Sequence, residues 1–203
     1  MEENLIMELV ELTEKEFKNF ADNHPQASFH QTKEWGELKK ENGWDMHLVG
    51  LKDGKNIVAG ALLLSKMTPI RKKIFYSPRG FLIDYNNYDL LKEFTIKVKE
   101  YVKKNKGIFL KIDPYVSYKE RDLFGNIVED GENNEQAYKN LIKLGYKHFG
   151  FNLMQDTLQP RWIFITKTKN RTVDDVMKDM DPKTRQILRK NERELICCRE
   201  ISY

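Results

Sequence analysis

The chain is poor in cysteine and has no long apolar run. Its 203 residues include two cysteines, Cys197 and Cys198, whose Cα atoms are about 3.8 Å apart because they are adjacent, below the usual disulfide range. The longest apolar run, IVAGALLL at 57–64, is far shorter than the roughly 20 residues of a transmembrane helix and predicts a buried strand. A disulfide scaffold is therefore excluded, and no transmembrane segment is expected.

Metal-binding and targeting motifs are also missing. The histidines (His24, His30, His47 and His148) have neither HExxH nor Cys/His spacing, so we expect ordinary surface or core histidines and no metal site. The acidic start, MEENLIMELVELTEKE, lacks the basic segment and the cleavage site of a signal peptide, which favours a cytoplasmic location. A net charge of +4 is too small by itself to indicate a nucleic-acid-binding protein.

A further absence concerns acyl-CoA. A CoA-dependent N-acetyltransferase needs a glycine-rich R/Q-x-x-G-x-G/A loop, whose N–H groups hold the pyrophosphate at a helix N-terminus. No stretch of this sequence fits that pattern. If the chain is an acyltransferase, we expect a donor other than an acyl-CoA.

The hydrophobic pattern predicts an α/β (α+β) domain with a mixed central sheet over residues 1–168. A capping box at Thr13 begins a first helix, Gly43 ends a second, and Asp53-Gly54 predicts a β-hairpin. The other expected elements are a strand at KKIFYS (72–77), a helix at about 87–105, a buried strand at GIFLKIDPY (107–115), a helix at about 135–144, and strands at YKHFGFNLM (146–154) and QPRWIFITK (159–167).

Residues 169–203 differ in character. Thr172 caps one helix, and Asp181-Pro182 begins another that carries a basic stripe. Arginine forks match phosphate oxygens, so the stripe is a plausible phosphate-facing surface. A solvated face with cations favoured by the helix dipole is the alternative, and the pattern leaves both open. The stripe consists of Arg185, Arg189 and Arg193 at i, i+4 and i+8, with Lys183 beside it.

Other candidate binding residues stand at isolated positions. Asp113 ends a strand, where α/β sheets commonly meet ligands, although Asp-Pro also begins turns. Lys39 lies one turn after Trp35 on the same helix face, where a lysine often only covers apolar surface. Arg79, between Pro78 and Gly80, is available to an anion, but such tripeptides usually just form turns.

Five segments in order match the patterns of one family. They are FHQTKEWGELKKENGW (Q-x-x-x-W-x-x-x-K), YSPRGFLID (P-R/K-G-P, with Phe81 instead of the last proline), FLKIDPYV, QPRWIFITK and MKDMDPKTRQILRKNE. Together they resemble the Fem-type aminoacyltransferases, which add amino acids to peptidoglycan precursors. The resemblance implies two domains, each similar to an acetyltransferase (GNAT) fold without its CoA loop.

The resemblance also implies substrates and residue roles. The donor would be aminoacyl-tRNA, and the acceptor the stem peptide of UDP-MurNAc-pentapeptide or lipid II. Lys39 and Asp113 match positions that hold the acceptor, and Trp35 and Arg79 are taken with them as substrate-binding. The stripe of Lys183, Arg185, Arg189 and Arg193 would face tRNA or precursor phosphates. Peripheral contact with the membrane face is compatible with a lipid-linked acceptor.

The implied chemistry needs little from the protein. An aminoacyl ester is already activated, so the enzyme chiefly aligns the amine and stabilises the oxyanion. We therefore expect no cofactor and no metal, and we assign no catalytic residue. The family's second domain supplies further acceptor contacts and a lysine proposed to act in catalysis, at positions that this sequence does not contain.

Residues 169–203 are expected to form a connecting basic helix and the first strand of an incomplete second GNAT-like domain. CCREISY is similar to LVELTEKEF near the start, a strand that runs into a capped helix. The chain is then the acceptor-binding part of a truncated or split aminoacyltransferase. The alternative is a non-catalytic GNAT-like module that binds tRNA or another RNA through its basic helix.

Overall fold

The protein has a mixed α/β architecture around one sheet. The computed structural model describes residues 7–151, 166 and 168–194. In this part of the chain five strands form the sheet. Their bounds are β1 (Glu8–Glu11), β2 (Asp45–Asp53), β3 (Asn56–Met67), β4 (Lys73–Ser77) and β5 (Gly107–Ile112). The α-helices are α1 (Glu14–Asp22), α2 (Lys33–Glu41), α3 (Tyr88–Lys104), α4 (Glu135–Lys143), α5 (Val173–Asp179) and α6 (Pro182–Arg193).

The sheet is mixed, as the sequence predicts. The strands stand in chain order, β1 to β4 pair antiparallel, and β5 pairs parallel with β4 after a crossover through α3. The hairpin predicted at Asp53-Gly54 joins β2 to β3, and Gly54 has a φ of 58°. A left-handed backbone is easiest for glycine, which is why this dipeptide is a reliable hairpin signal.

Both faces of the sheet are buried, which explains the continuous apolar run in β3. Ala61 and Leu63 point into a cluster that includes Phe94 and Val98 of α3. The alternate residues Leu62 and Leu64 point into a second cluster, which contains Phe17 and Ala21 of α1. A strand that is covered on both faces needs apolar residues at successive positions rather than at every second one.

Side-chain caps begin α1, α5 and α6 at the residues that the sequence predicts. Thr13 and Glu16 form a complete capping box at α1, and Asn87 caps α3. A second capping box joins Thr172 to Asp175 at α5, and Asp181 caps α6 with Pro182 at its first position. Capping uses residues that are neighbours in sequence, so it is readable without the tertiary structure.

The chain divides into two compact units, Met1–His148 and Phe149–Tyr203. The sheet and helices α1 to α4 belong to the first unit, and α5 and α6 belong to the second. The domain boundary expected after residue 168 falls inside the second unit and stays a prediction. Within the described ranges, no helix combines the length and the hydropathy that crossing a bilayer requires.

Two expectations about strands are wrong. The strand at 107–115 is not buried, because β5 pairs only with β4 among the described residues and leaves Ile108 and Phe109 each 51% exposed. Residues 146–151 form no strand, although the sequence predicts one at 146–154. The rest of that segment lies outside the described residues, as do QPRWIFITK apart from Thr166 and the predicted strand in CCREISY.

Tyr85 fixes the segment that follows β4. It is almost completely buried, and its hydroxyl oxygen accepts a hydrogen bond of 2.6 Å from the Phe81 N–H. The buried Asn140 of α4 donates to the Tyr85 carbonyl at 2.9 Å. Burial raises the pKa of Tyr85 well above its ordinary value, so the phenol stays neutral.

Tyr85→Phe is expected to lower the free energy of unfolding by about 1–3 kcal/mol, because it leaves the buried Phe81 N–H without an acceptor. Tyr88→Phe is the matched control, since Tyr88 is only partly buried and should change stability by less than about 0.5 kcal/mol. Urea unfolding followed by circular dichroism measures both. Equal losses in the two variants would contradict the assigned role.

Candidate functional site

A buried glutamine brings α2 to the turn after β4. Gln31 ends a short 3₁₀ helix just before α2 and is 1% exposed. Its amide oxygen accepts from the Leu62 N–H at 2.7 Å, and its amide nitrogen donates to the Pro78 carbonyl at 2.6 Å. One side chain therefore connects the start of α2, strand β3 and the turn that carries Arg79.

Helix α2 lies close against the sheet because of Gly36. A Cβ atom there would lie 2.1 Å from the sulfur of Met46 in β2, so any other residue would require the Met46 side chain or the helix to move. The neighbouring Trp35 packs edge-on against His30, with the ring centroids 4.6 Å apart. The Lys39 ammonium lies 4.5 Å from the centroid of the Trp35 ring, which is cation–π geometry.

Arg79 and Gly80 form a tight turn in the left-handed region, with φ of 60° and 76°. A Cβ at Gly80 would lie 2.7 Å from the Pro114 Cα, so glycine is required there. At Arg79 this backbone costs about 1–2 kcal/mol. Two hydrogen bonds offset that cost, because the Arg79 N–H donates to Asp113 Oδ1 at 2.7 Å and the Arg79 carbonyl accepts from the Tyr115 N–H at 3.0 Å.

Asp113 is half-buried at the end of β5. Its Oδ2 accepts a hydrogen bond of 3.1 Å from the Tyr76 hydroxyl. Burial raises the pKa of the Asp113 carboxyl, while the Arg79 N–H, the Tyr76 hydroxyl and the charges of Arg79 and Lys111 act in the opposite direction. Asp113 can both stabilise the turn and bind a ligand. A carboxylate has about four lone-pair sites, and these two hydrogen bonds use two of them.

The charges of two cations, Arg79 and Lys39, act on the imidazole of His30. The pKa of His30 is lowered first by burial and then by the charges of Arg79 and Lys39. His30 and Lys39 both pack against the ring of Trp35. Gln31 joins the start of α2, which carries Trp35 and Lys39, to the turn in which the Arg79 N–H binds Asp113. We call Trp35, Lys39, Arg79 and Asp113 the Lys39–Asp113 site.

Sequence reasoning missed four members of this arrangement: Gln31, His30, Tyr76 and Tyr115. Gln31 stands at the first position of the Q-x-x-x-W-x-x-x-K pattern, so the signal was present, but its burial depends on β3 and the 78–80 turn. Tyr115 contributes its ring, which lies 5.0 Å from the Arg79 guanidinium carbon. An isolated tyrosine after Asp-Pro carries no comparable signal.

The predicted basic stripe lies on α6 in the second unit and is described by itself. Lys183, Arg189 and Arg193 are exposed, and Arg185 is partly buried. Arg185 donates to the Lys178 carbonyl at 3.1 Å, and Arg193 donates to the Arg189 carbonyl at 3.2 Å. Part of the stripe thus stabilises helix ends, while Lys183 and Arg189 project into solvent.

Among residues 7–151, 166 and 168–194, no group of three or more His, Cys, Asp or Glu side chains could hold a metal ion.

Comparison with known proteins decides the family. The model of the FemAB family matches residues 12–203. The chain belongs to the FemAB family. The aminoacyltransferases FemA of Staphylococcus aureus strains bovine RF122 / ET3-1 and MW2 are each 39% identical to it over 178 residues, which is 86% of this chain and 42% of each FemA.

A crystal structure of FemX has the same fold as this FemAB-family chain. The two superpose with a TM-score of 0.75 and 30% sequence identity, over 90% of this chain and 43% of the FemX chain. The predicted Fem-type resemblance and the mixed α/β fold are therefore confirmed. The chain spans less than half the length of these FemA and FemX relatives.

The arrangement around His30 is testable by titration. Lys39→Met should raise the pKa of His30, because it removes one of the cations that disfavour the imidazolium. Lys40→Met is the matched control, since Lys40 pairs with Glu37 at 2.9 Å and should leave His30 unchanged. NMR titration of the imidazole Cε1–H resonances gives both values, with His24 as an internal reference. An unchanged His30 pKa in Lys39→Met would contradict the geometry.

Proposed function

We propose that this FemAB-family chain binds the acceptor in an aminoacyltransferase reaction of peptidoglycan bridge synthesis. The amino acid passes from aminoacyl-tRNA to an amine on the stem peptide of UDP-MurNAc-pentapeptide or lipid II. The observation that carries the proposal is that Gln31 joins the start of α2, which carries Lys39, to the turn in which the Arg79 N–H binds the half-buried Asp113. The name of the FemA relatives, aminoacyltransferase, supports the class of reaction.

The charges of the site suit a diphosphate-bearing acceptor. Lys39 and Arg79 are cations on the two elements that Gln31 joins, and both proposed acceptors carry a diphosphate. Arg79 supplies a planar fork that can bind phosphate oxygens at two points, while Lys39 acts as a point charge. The remaining lone pairs of Asp113 can accept N–H or O–H groups of the sugar or peptide. Trp35 holds Lys39 in place and provides apolar surface beside it.

The proposed chemistry requires no cofactor. The ester of aminoacyl-tRNA is activated before it reaches the enzyme, so alignment of the amine and stabilisation of the oxyanion account for most of the catalysis. The first domain, residues 1–168, is proposed to be GNAT-like and to bind the precursor. The proposed reaction takes place in the cytoplasm and, with lipid II as the acceptor, next to the membrane face.

Lys39→Met and Asp113→Asn are each expected to weaken binding of UDP-MurNAc-pentapeptide about tenfold or more, because each removes a charged partner of the ligand. Lys40→Met is the control for loss of a positive charge from α2 and should bind like the wild type. Isothermal titration calorimetry measures the affinities, and circular dichroism checks folding. Wild-type affinity in both site variants would overturn the assignment.

The basic stripe of α6 is proposed to contact tRNA phosphates. In the triple variant that combines Arg185→Gln, Arg189→Gln and Arg193→Gln, the affinity for tRNA should depend less steeply on salt. The slope of log affinity against log salt concentration should decrease by about 0.9 for each phosphate that the protein no longer neutralises. The control is Lys92→Gln, Lys103→Gln, Lys104→Gln, which removes the same charge from exposed positions of α3. Equal slopes in the two variants would argue against a specific role for the stripe.

The same titration addresses the second candidate function, a non-catalytic module that binds RNA. The exposure of Lys183 and Arg189 favours it. Stripe-dependent tRNA binding together with no detectable precursor binding would support the module. Precursor binding that depends on Lys39 and Asp113 would support the aminoacyltransferase.

A further inference from the structure

An open groove of about 400 Å³ adjoins the Lys39–Asp113 site in the first unit. Tyr115 belongs to both, since its ring lies under the Arg79 guanidinium and also forms part of the groove wall. The groove is thus a continuation of the site rather than a separate cavity. Its walls include Tyr115, Ser117, Glu132, Asn133 and Asn134.

The walls of the groove are fixed by hydrogen bonds. The Asn134 side chain donates to the Ser117 carbonyl at 2.8 Å, and the Asn134 N–H donates to the Tyr118 carbonyl at 3.0 Å. The Glu120 N–H donates to the Glu132 carbonyl at 2.8 Å. These contacts join the chain after Asp113 to the chain before α4, so the groove exists before any ligand binds, which lowers the entropic cost of binding.

The groove carries a negative charge that its neighbours do not neutralise. Within the described residues, the Glu132 carboxylate has no ion pair, whereas the nearby Glu135 pairs with Lys119 at 3.1 Å and with Lys139 at 2.9 Å. The Glu120 carboxylate accepts the Glu132 N–H at 3.0 Å. Glu132 therefore puts a negative charge on the groove wall, while the Arg79 cation lies over the ring of Tyr115, which belongs to the same wall.

This polarity fits a ligand with an anionic end and a cationic end. We propose that the groove binds the stem peptide of the acceptor and that Glu132 recognises its primary amine, while Lys39 and Arg79 hold the phosphates. The inference rests on the proposed function and adds the location of the peptide. Asn133 and Ser117 offer amide and hydroxyl partners to a peptide backbone, and the Tyr115 ring, which is 40% exposed, offers a flat apolar surface.

The test combines a charge-removing variant with a blocked ligand. Glu132→Gln should weaken binding of UDP-MurNAc-pentapeptide about threefold to tenfold, as expected for loss of a charge-assisted hydrogen bond at an exposed site. Acetylation of the stem-peptide amine should weaken wild-type binding by a similar factor and have little further effect in Glu132→Gln, because the two changes remove the same interaction. Calorimetry of the wild type and Glu132→Gln, each with the unmodified and the acetylated precursor, gives the coupling free energy between the two changes.

Glu129→Gln is the matched control. Glu129 is exposed in the same segment but does not line the groove, so this variant should bind and discriminate like the wild type. The proposal would be overturned if acetylation weakened binding to Glu132→Gln by the same factor as binding to the wild type. It would also be overturned if Glu129→Gln lost as much affinity as Glu132→Gln.

A second readout separates this inference from the proposed function. The free stem peptide, titrated at millimolar concentration, should shift the NMR amide resonances of residues 115–117 and 132–134 in the wild type and much less in Glu132→Gln. No shift in these segments, together with precursor binding that depends on Lys39, would overturn the groove assignment and leave the proposed function intact. No binding of either ligand would overturn both.

Discussion

The buried amide of Gln31 holds the candidate site together. It joins a strand N–H at Leu62 to the carbonyl of Pro78, two groups that would otherwise be buried without partners. An unpaired buried polar group costs about 1–3 kcal/mol, so this bridge strongly restricts how α2 can dock on the sheet. The positions of Trp35 and Lys39 follow from that docking, and the position of Arg79 follows from the turn on the other side.

The turn after β4 shows how structural and ligand-binding roles coincide in one residue. Asp113 stabilises the left-handed backbone of Arg79 by accepting a hydrogen bond from its N–H. The Arg79 guanidinium also lies over the ring of Tyr115, which holds the side chain in place. An anion at this point would meet a side chain whose position is already determined, so less conformational entropy is lost on binding.

Much of the local structure could be predicted from the sequence. The caps at Thr13 and Asp181 and the turn at Asp53-Gly54 depend on residues that are neighbours along the chain. The exposure of β5 could not be predicted, because an apolar run looks the same whether other elements cover the strand or leave it at an edge. The family patterns pointed to Lys39 and Asp113 but gave no reason for the glutamine that begins one of them.

The sequence by itself determined most element types, the caps at Thr13, Thr172 and Asp181, the mixed α/β class and the family, because each rests on local periodicity or on short motifs in a fixed order. The tertiary structure alone decided that α2 and the 78–80 turn meet, and that Asp113 stabilises the backbone of Arg79. It also decided that a groove with Glu132 continues from Tyr115. These are contacts between residues far apart along the chain, and such contacts leave no periodic signal in the sequence.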